Sequence, residues 1–371
     1  MILYRLLIVI TLIVLAVVVI ASAANRPETV RVAVSRGGDT VRIDGEGVLV
    51  SDERGNAVDL EFPCTVQRSS GNFLSVGPVT SRRLTFVSPN LLKINGKGYR
   101  GVIELHPVEK GILAVNELQL EEYLVGLINC EISSLWPIEA VKAQAVIARS
   151  YAIYQKDSRK GALYHLESSV MDQVYNGADI EDSRAARAVQ ETAGEVLVYS
   201  GNVIQSFYHS NCGGHTEAAV NVWGADLPYL QGVDCKYCVT TPPARWELTL
   251  SLKKIESLLK GAGYQYGAIR EIRVGRPNRS GRLQNLSLVT SRGESVLSAV
   301  NFRKAIGYAV LKSTNFTIRQ KNDEITFSGA GNGHGVGLCQ WGSKQRAGDG
   351  FNYREILNYY YPGVRLERLK G

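Results

Sequence analysis

Three sets of residues in this chain have types and spacings that could do chemistry. The first is a single carboxylate. Glu131 is the one acidic residue in the stretch from Asn129 to Trp136, among Cys130, Ile132, Leu135 and Trp136. A carboxyl group in such company loses hydration, which raises its pKa, and a carboxylic acid still protonated near neutral pH can serve as a general acid. The competing reading is a loop glutamate that faces water. The second set is Cys212, Cys235 and Cys238 together with His209 and His215. A C-x-x-C pair beside an H-x-x-C-x-x-H run has the ligand types and number of one tetrahedral zinc site, structural because thiolates and a histidine would fill the shell. Disulfides and unconnected buried thiols stand as alternatives. The third is Gly331-Asn332-Gly333-His334-Gly335-Val336-Gly337-Leu338-Cys339-Gln340-Trp341-Gly342. It is no phosphate loop, since the Lys and Ser/Thr of that motif are missing. Its glycines permit close backbone approach to a ligand, His334 and Gln340 offer polar groups, and Trp341 offers a flat face. A Gly-rich turn with Trp341 in the core is the alternative.

The elements that must position these groups can be read from periodicity. Leu120, Tyr123, Leu124, Leu127 and Ile128 recur at helical spacing, as do Ile138, Val141, Ala145, Ala148 and Ala152. Two helices are therefore expected on either side of Glu131, with Pro137 suited to the first turn of the second. Thr29 to about Val115 reads as β-structure. Val30, Val32 and Val34 alternate with polar or small residues, and Gly37-Gly38-Asp39 makes a turn before Val41 and Ile43. Further strands are expected at Val48–Val50, Leu84–Val87, Gly101–Leu105 and Ile112–Asn116. A loop from Gly161 to Ala178 carries Asp172, Gln173 and Tyr175, whose alternative role is turn chemistry. A helix from Ser183 to Ala193 follows, then a hairpin of Glu195–Tyr199 and Val203–Tyr208. Pro242-Pro243 marks a break. Beyond it, helices are expected near Leu252–Lys260 and Ala299–Ile306, strands near Ile272–Val274 and Leu283–Val289, and a last helix from Tyr353.

The segment around Glu131 resembles the stage II sporulation protein D family. The match runs through Asn116, Leu118, Leu120, Glu122, Tyr123, Leu124, Gly126, Glu131, Trp136, Pro137, Glu139, Ala140, Lys142, Ala143, Gln144, Ala145, Ala148, Arg149, Ser150 and Tyr151. Three later stretches resemble the family's other motifs in the family's order: Asp172-Gln173-Val174-Tyr175, His209-Ser210-Asn211-Cys212-Gly213-Gly214-His215-Thr216-Glu217, and the Gly-rich run around His334. The resemblance implies a peptidoglycan lytic transglycosylase acting on glycan strands stripped of stem peptides, in sporulation, with Glu131 as the catalytic acid and base. It implies sugar contacts from Asp172, Gln173, Tyr175, His209, Ser210, His334, Gln340 and Trp341, with His209 and His334 facing one groove with Glu131. Other members of the family are amidase enhancers or wall-binding proteins, so a non-catalytic protein that activates a cell-wall amidase is the second expectation. Some members carry a cysteine–histidine zinc site just before the D-Q-V-Y run. Here only His165 is present, so that site is not carried over.

The 371 residues are 45% hydrophobic and 21% charged, with a net charge of +7, a globular balance whose basic excess suits an anionic partner such as cell wall or membrane surface. The basic residues form no run and no recognition-helix pattern, which argues against nucleic acid. Arg5 precedes an uncharged apolar run from Leu6 to Ile20, followed by Ala21-Ser22-Ala23. That is the pattern of a signal peptide or, uncut, of a membrane anchor, and either places the remainder outside the cytoplasm. The fold expected is α+β: an N-terminal β-rich region packed with a mixed helical and β catalytic core around a groove. Its segments are 1–24 (export), 25–115 (β-rich), 116–245 (helix pair and Cys/His cluster), 246–330 (variable α+β) and 331–371 (Gly-rich motif and last helix).

Overall fold

The computed structural model describes residues 28–369; the export segment read at 1–24 lies outside them. The fold is α+β. The chain forms two compact units that interleave along the sequence, where the sequence reading set consecutive segments. Of the described residues, one comprises 28–133, 152–196 and 368–369, the other 134–151 and 197–367.

The first unit is built on two sheets. Seven strands run in the order Leu166–Glu167, Thr29–Arg36, Gly111–Gln119, Val102–Val108, Leu84–Val87, Leu49–Ser51, Ala57–Val58. Six more run in the order Lys97–Tyr99, Leu92–Ile94, Thr40–Asp44, Cys64–Ser69, Phe73–Val76, Val79–Ser81. The alternation of Thr29–Arg36 buries Val30 and Val32 fully, while Gly37 and Gly38 take the positive φ that turns the chain into the next strand. The strand Gly111–Gln119 pairs on both sides and is buried along nearly its whole length, as a central strand must be.

That strand runs directly into helix α1, Leu120–Glu131. Its five apolar positions are all buried, so the stripe read from the sequence is the core face. Helix α1 extends through Asn129, Cys130 and Glu131, which the sequence reading had placed in the connection; the connection itself is shorter. Helix α2, Ile138–Ser158, follows. The Pro137 carbonyl accepts the N–H groups of Ala140 and Val141 at its start. Residues from Ala140 to Ile153 are buried with the single exception of Lys142, so α2 is enclosed on all sides, which its run of alanines permits. The unit boundary falls within α2, at Tyr151/Ala152.

The second unit holds two three-stranded sheets. Their orders are Arg245–Ser251, Glu324–Ala330, Phe316–Lys321 and Ile269–Val274, Asn285–Thr290, Gly293–Ser298. Helices Leu252–Gly261 and Ala299–Ile306 pack into the same core through Ile255, Leu259 and Phe302. A short parallel pair, Tyr208–His209 with Leu338–Cys339, joins two motifs that no local pattern linked. Its strand Tyr208–His209 lies where the sequence reading continued the hairpin; the hairpin proper pairs Glu195–Tyr199 with only Asn202–Val203. Among the described residues no helix is long and apolar enough to cross a membrane.

Candidate functional site

Glu131 belongs to the first unit and His334 to the second.

In the first unit, Glu131 is the last residue of α1 and half-buried. Its Oε1 accepts the Val174 N–H at 3.0 Å, which couples the carboxylate to the Asp172-Gln173-Val174-Tyr175 segment. The packing that brings them together requires a glycine. A Cβ on Gly126, one turn back on α1, would lie 2.6 Å from the Gly177 carbonyl oxygen and 2.8 Å from Tyr175 Cε2. Gly177 has a φ of +79°, and a Cβ there would lie 2.1 Å from the Gly98 carbonyl. Helix, loop and sheet thus touch through backbone, and Glu131 is held at the point of contact.

The expected sugar-binding roles of that loop meet a different arrangement. Asp172 pairs with Arg159 at 2.7 Å, its side chain only 4% exposed, and also accepts from Gln155 Nε2 at 2.8 Å and the Glu167 N–H at 2.9 Å. Gln173 is buried and accepts from the Tyr123 hydroxyl at 3.1 Å. Tyr175 is buried, its ring against Tyr123 and Tyr99 and its hydroxyl donating to Asn116 Oδ1 at 3.1 Å. Asn116 in turn donates to the carbonyls of Arg100 and Val102. Desolvation pushes the Tyr175 phenol far above its ordinary range. The three side chains brace the loop from inside because each finds its polar partner within the unit. His165 takes the Arg31 N–H on Nδ1 at 3.2 Å, and burial lowers its pKa.

In the second unit, His209 and His334 lie together, ring centroids 5.6 Å apart. The His209 Nδ1 faces the Val336 carbonyl at 3.1 Å, which places the proton on Nδ1. Its Nε2 is buried without a partner among the described residues. The His334 Nδ1 accepts the Val336 N–H at 3.1 Å, and its ring packs on Trp223 with centroids 5.0 Å apart. Burial, with the nearby Arg282 charge, pushes His209 down to about 3; burial first, then His209 and two arginines, pushes His334 well below its ordinary value. Both imidazoles are therefore neutral at pH 7. Ser210 is half-buried, its carbonyl accepting the Trp341 N–H at 3.1 Å. Gln340 is buried and donates to Gln144 Oε1 at 3.3 Å. Trp341 is half-buried, 5.2 Å from the Trp136 ring, with the Lys344 ammonium 4.5 Å from its centroid. Leu135 beside Trp136 is 79% exposed. The two tryptophan rings are tilted 56° to one another, and the Lys344 ammonium lies over both.

The glycines of the motif make room for neighbouring protein groups. A Cβ on Gly333 would lie 2.7 Å from His209 Cβ, one on Gly335 2.4 Å from the Arg282 guanidinium carbon, and one on Gly337 1.9 Å from the Phe207 carbonyl. They admit the protein's own groups, and that packing alone requires glycine at these positions. Arg282, in the segment read as variable, is a functional neighbour the sequence reading missed. Its guanidinium is buried and donates to the carbonyls of Cys212 at 2.9 Å and His215 at 3.1 Å.

The cysteine cluster is real but its members differ. Cys212, Cys235, Cys238 and Cys339 have their sulfur atoms within 4.8 Å of one another. Neither histidine joins them, which corrects the expected ligand set. His209 is turned to Val336, and His215 bonds the Thr216 carbonyl and sits 3.6 Å from Asp234. The fourth thiol comes from the Gly-rich motif because the parallel pair Tyr208–His209 with Leu338–Cys339 brings the two stretches side by side. A cysteine at that motif position, beside an otherwise three-membered set, was the available signal.

Comparison with known proteins accords with the motifs. The stage II sporulation protein family profile matches residues 108–199, and a domain of unknown function matches residues 238–337. An uncharacterised protein of Brachyspira hyodysenteriae is 36% identical over 318 residues, covering 84% of this chain and 83% of the relative. The amidase enhancer of Bacillus subtilis is 30% identical over 349 residues, covering 81% of this chain, which spans only 47% of that relative's length. Stage II sporulation protein D of Bacillus subtilis is 27% identical over 270 residues, covering 68% of this chain and 76% of the relative. With the signature helices, the loop locked to Glu131 and the later motifs in place, the chain belongs to the stage II sporulation protein D family.

Proposed function

We propose that this protein is an exported or membrane-anchored lytic transglycosylase that cleaves peptidoglycan glycan strands lacking stem peptides, with Glu131 as its acid and base. The observation that carries the reading is the placement of Glu131: a half-buried carboxylate at a helix end, its orientation fixed by the Val174 N–H at 3.0 Å. Glu131 protonates the leaving glycosidic oxygen. The resulting carboxylate takes the proton of the muramyl C6 hydroxyl as that oxygen attacks C1, which leaves a 1,6-anhydro end and returns the acid. No water attacks, so the second carboxylate of a hydrolase is not required. The transition state carries positive charge on the sugar ring, and a cationic side chain there would oppose it. Trp341 and Trp136 suit the apolar face of a sugar ring. Export is supported by the apolar run Leu6 to Ile20 with Ala21-Ser22-Ala23 behind it; a role in sporulation is supported by the family.

A second reading is a wall-binding protein that activates a cell-wall amidase. The similarity to the amidase enhancer favours it, as does the inward commitment of Asp172, Gln173 and Tyr175, which leaves fewer side chains for a sugar. The two are separated by incubating the purified protein with denuded strands, and separately an N-acetylmuramoyl-L-alanine amidase with intact wall plus and minus the protein. Anhydro-ended products support the transglycosylase. Intact strands together with a faster amidase support the activator and overturn the first reading.

A further inference from the structure

We propose that Cys212, Cys235, Cys238 and Cys339 hold one zinc ion in a closed tetrathiolate site, and that this ion ties the His209 stretch to the Gln340–Trp341 stretch. The inference is independent of the glycan-cleavage reading.

Four observations carry it. The first is the mutual distance. All four sulfurs lie within 4.8 Å of one another, and a tetrahedral zinc site with bonds of about 2.3 Å has sulfur–sulfur edges of about 3.8 Å. A disulfide brings two sulfurs to about 2.05 Å and gives no reason for the other two to converge on the same point. The Cys212 and Cys238 sulfurs are 3.3 Å apart, the spacing of two ligands and not of a bond.

The second is the set of donors aimed at sulfur. The N–H groups of Cys212 and Gly342 reach Cys339 Sγ at 3.3 and 3.4 Å. The Tyr360 hydroxyl lies 3.1 Å from Cys235 Sγ. Such donors stabilise metal-bound thiolates and orient them. Gly342 also keeps the space open, since a Cβ there would lie 2.7 Å from Cys235 Sγ and 3.3 Å from Cys339 Sγ.

The third is charge. Four thiolates around a divalent ion carry a net negative charge inside a core where all four cysteines are fully buried. Arg282 is 1% exposed and donates to the Cys212 carbonyl; the negative groups that act on its charge are the cysteine sulfurs and the buried Glu217 carboxylate. A buried guanidinium needs negative charge close by, and an anionic metal centre would supply it from the cysteine side in addition to Glu217. Four neutral thiols would supply none.

The fourth is position. The ligands come from three separate stretches, Cys212 three residues after His209, Cys339 immediately before Gln340, and the pair Cys235 and Cys238, which precede and end the single turn Lys236–Cys238. Full burial of all four leaves no open coordination position, so the ion is structural. What it fixes is the joint between the two motifs that carry the histidines and Trp341. Soft thiolate ligands in a tetrahedral set also admit iron, which the experiment separates.

The test uses the full chain purified under reducing conditions without added metal. Elemental analysis is expected to give about one zinc per chain, and denaturation with a chelator is expected to release it and expose six free thiols, the number the sequence contains. Cobalt exchanged into the site is expected to give the visible bands of tetrahedral sulfur coordination. Cys339→Ser is expected to lose the zinc and His215→Ala to keep it. Metal-free protein with fewer than six thiols, iron in place of zinc, or zinc lost in folded His215→Ala would each overturn the proposal. Should Cys339→Ser fail to fold, the wild-type metal and thiol counts still decide.

Discussion

Gly126→Ala tests the coupling between α1 and the loop that holds Glu131. Gly126 has an ordinary helical backbone, so alanine alone would favour the helix by about 1 kcal/mol. The added Cβ would lie 2.6 Å from the Gly177 carbonyl and 2.8 Å from Tyr175 Cε2. Neither neighbour can yield cheaply. Gly177 is itself pressed against the Gly98 carbonyl, and Tyr175 is pinned by Asn116 and two aromatic rings. Overpacking a rigid site costs about 1–3 kcal/mol, and the rigidity on both sides argues for the upper end. The net expectation is a loss of about 1–2 kcal/mol, read as a lower urea midpoint at unchanged slope. The loop that moves carries the Val174 N–H, so glycan cleavage is expected to fall further than the folded fraction does. A Gly126→Ala protein that is more stable than wild type would refute the account of why helix and loop meet at Glu131.

The remaining predictions follow from single contacts. His334→Ala removes the acceptor of the Val336 N–H and the ring against Trp223; a stability loss of about 1–3 kcal/mol is expected in denaturant titration, in contrast to the purely binding role that the motif alone suggested. Asp172→Ala removes the carboxylate that Arg159 and the Glu167 N–H bond, while Arg159 keeps the His165 carbonyl; since Arg159 is partly exposed, about 1–3 kcal/mol is expected, and unchanged stability would return Asp172 to the role of a sugar contact. Glu104 is held down to about 2 by the hydrogen bond from His106 and by Arg31, against its burial. Its folded pKa is depressed, so its contribution is complete above the ordinary carboxylate range and is lost as pH falls from about 4.5 toward 2; Glu104→Gln is expected to flatten that part of the stability profile. Trp341→Ala is expected to weaken retention on denuded strands by about 1–2 kcal/mol, measured by co-sedimentation.

Much of the scaffold was legible because burial in it follows local periodicity. All five apolar positions read for α1 face the core, the helix Ala299–Ile306 matched at both ends, and Leu84–Val87 matched as a strand. Strands such as Lys97–Tyr99 and Val79–Ser81 were missed, since three residues of mixed type become a strand only through a partner. The enclosure of α2 on every face was hidden by alanines, whose small size reads as neutral in any stripe. The site was legible in its motifs but less in its roles. A motif says that Tyr175, Gln340 and Gly335 occur together with Glu131, and only packing says that Tyr175 bonds Asn116, Gln340 bonds Gln144 and Gly335 makes room for Arg282. Cys339 was on the page as a motif residue. Its membership of the thiol cluster depends on a parallel strand pair that brings it beside Cys212, 127 residues away, for which no local signal exists.

The central claim is that Glu131 is the proton donor in glycan cleavage. Glu131→Gln is the substitution that isolates it, because the amide oxygen can still accept the Val174 N–H while the acid is gone. The decisive measurement is mass spectrometry of the products that wild type and Glu131→Gln release from denuded strands, with folding of both checked by circular dichroism. The account predicts 1,6-anhydro ends from wild type and none from a folded Glu131→Gln that still binds strands. Anhydro products from Glu131→Gln at the wild-type rate, or reducing-end products from wild type, would contradict it.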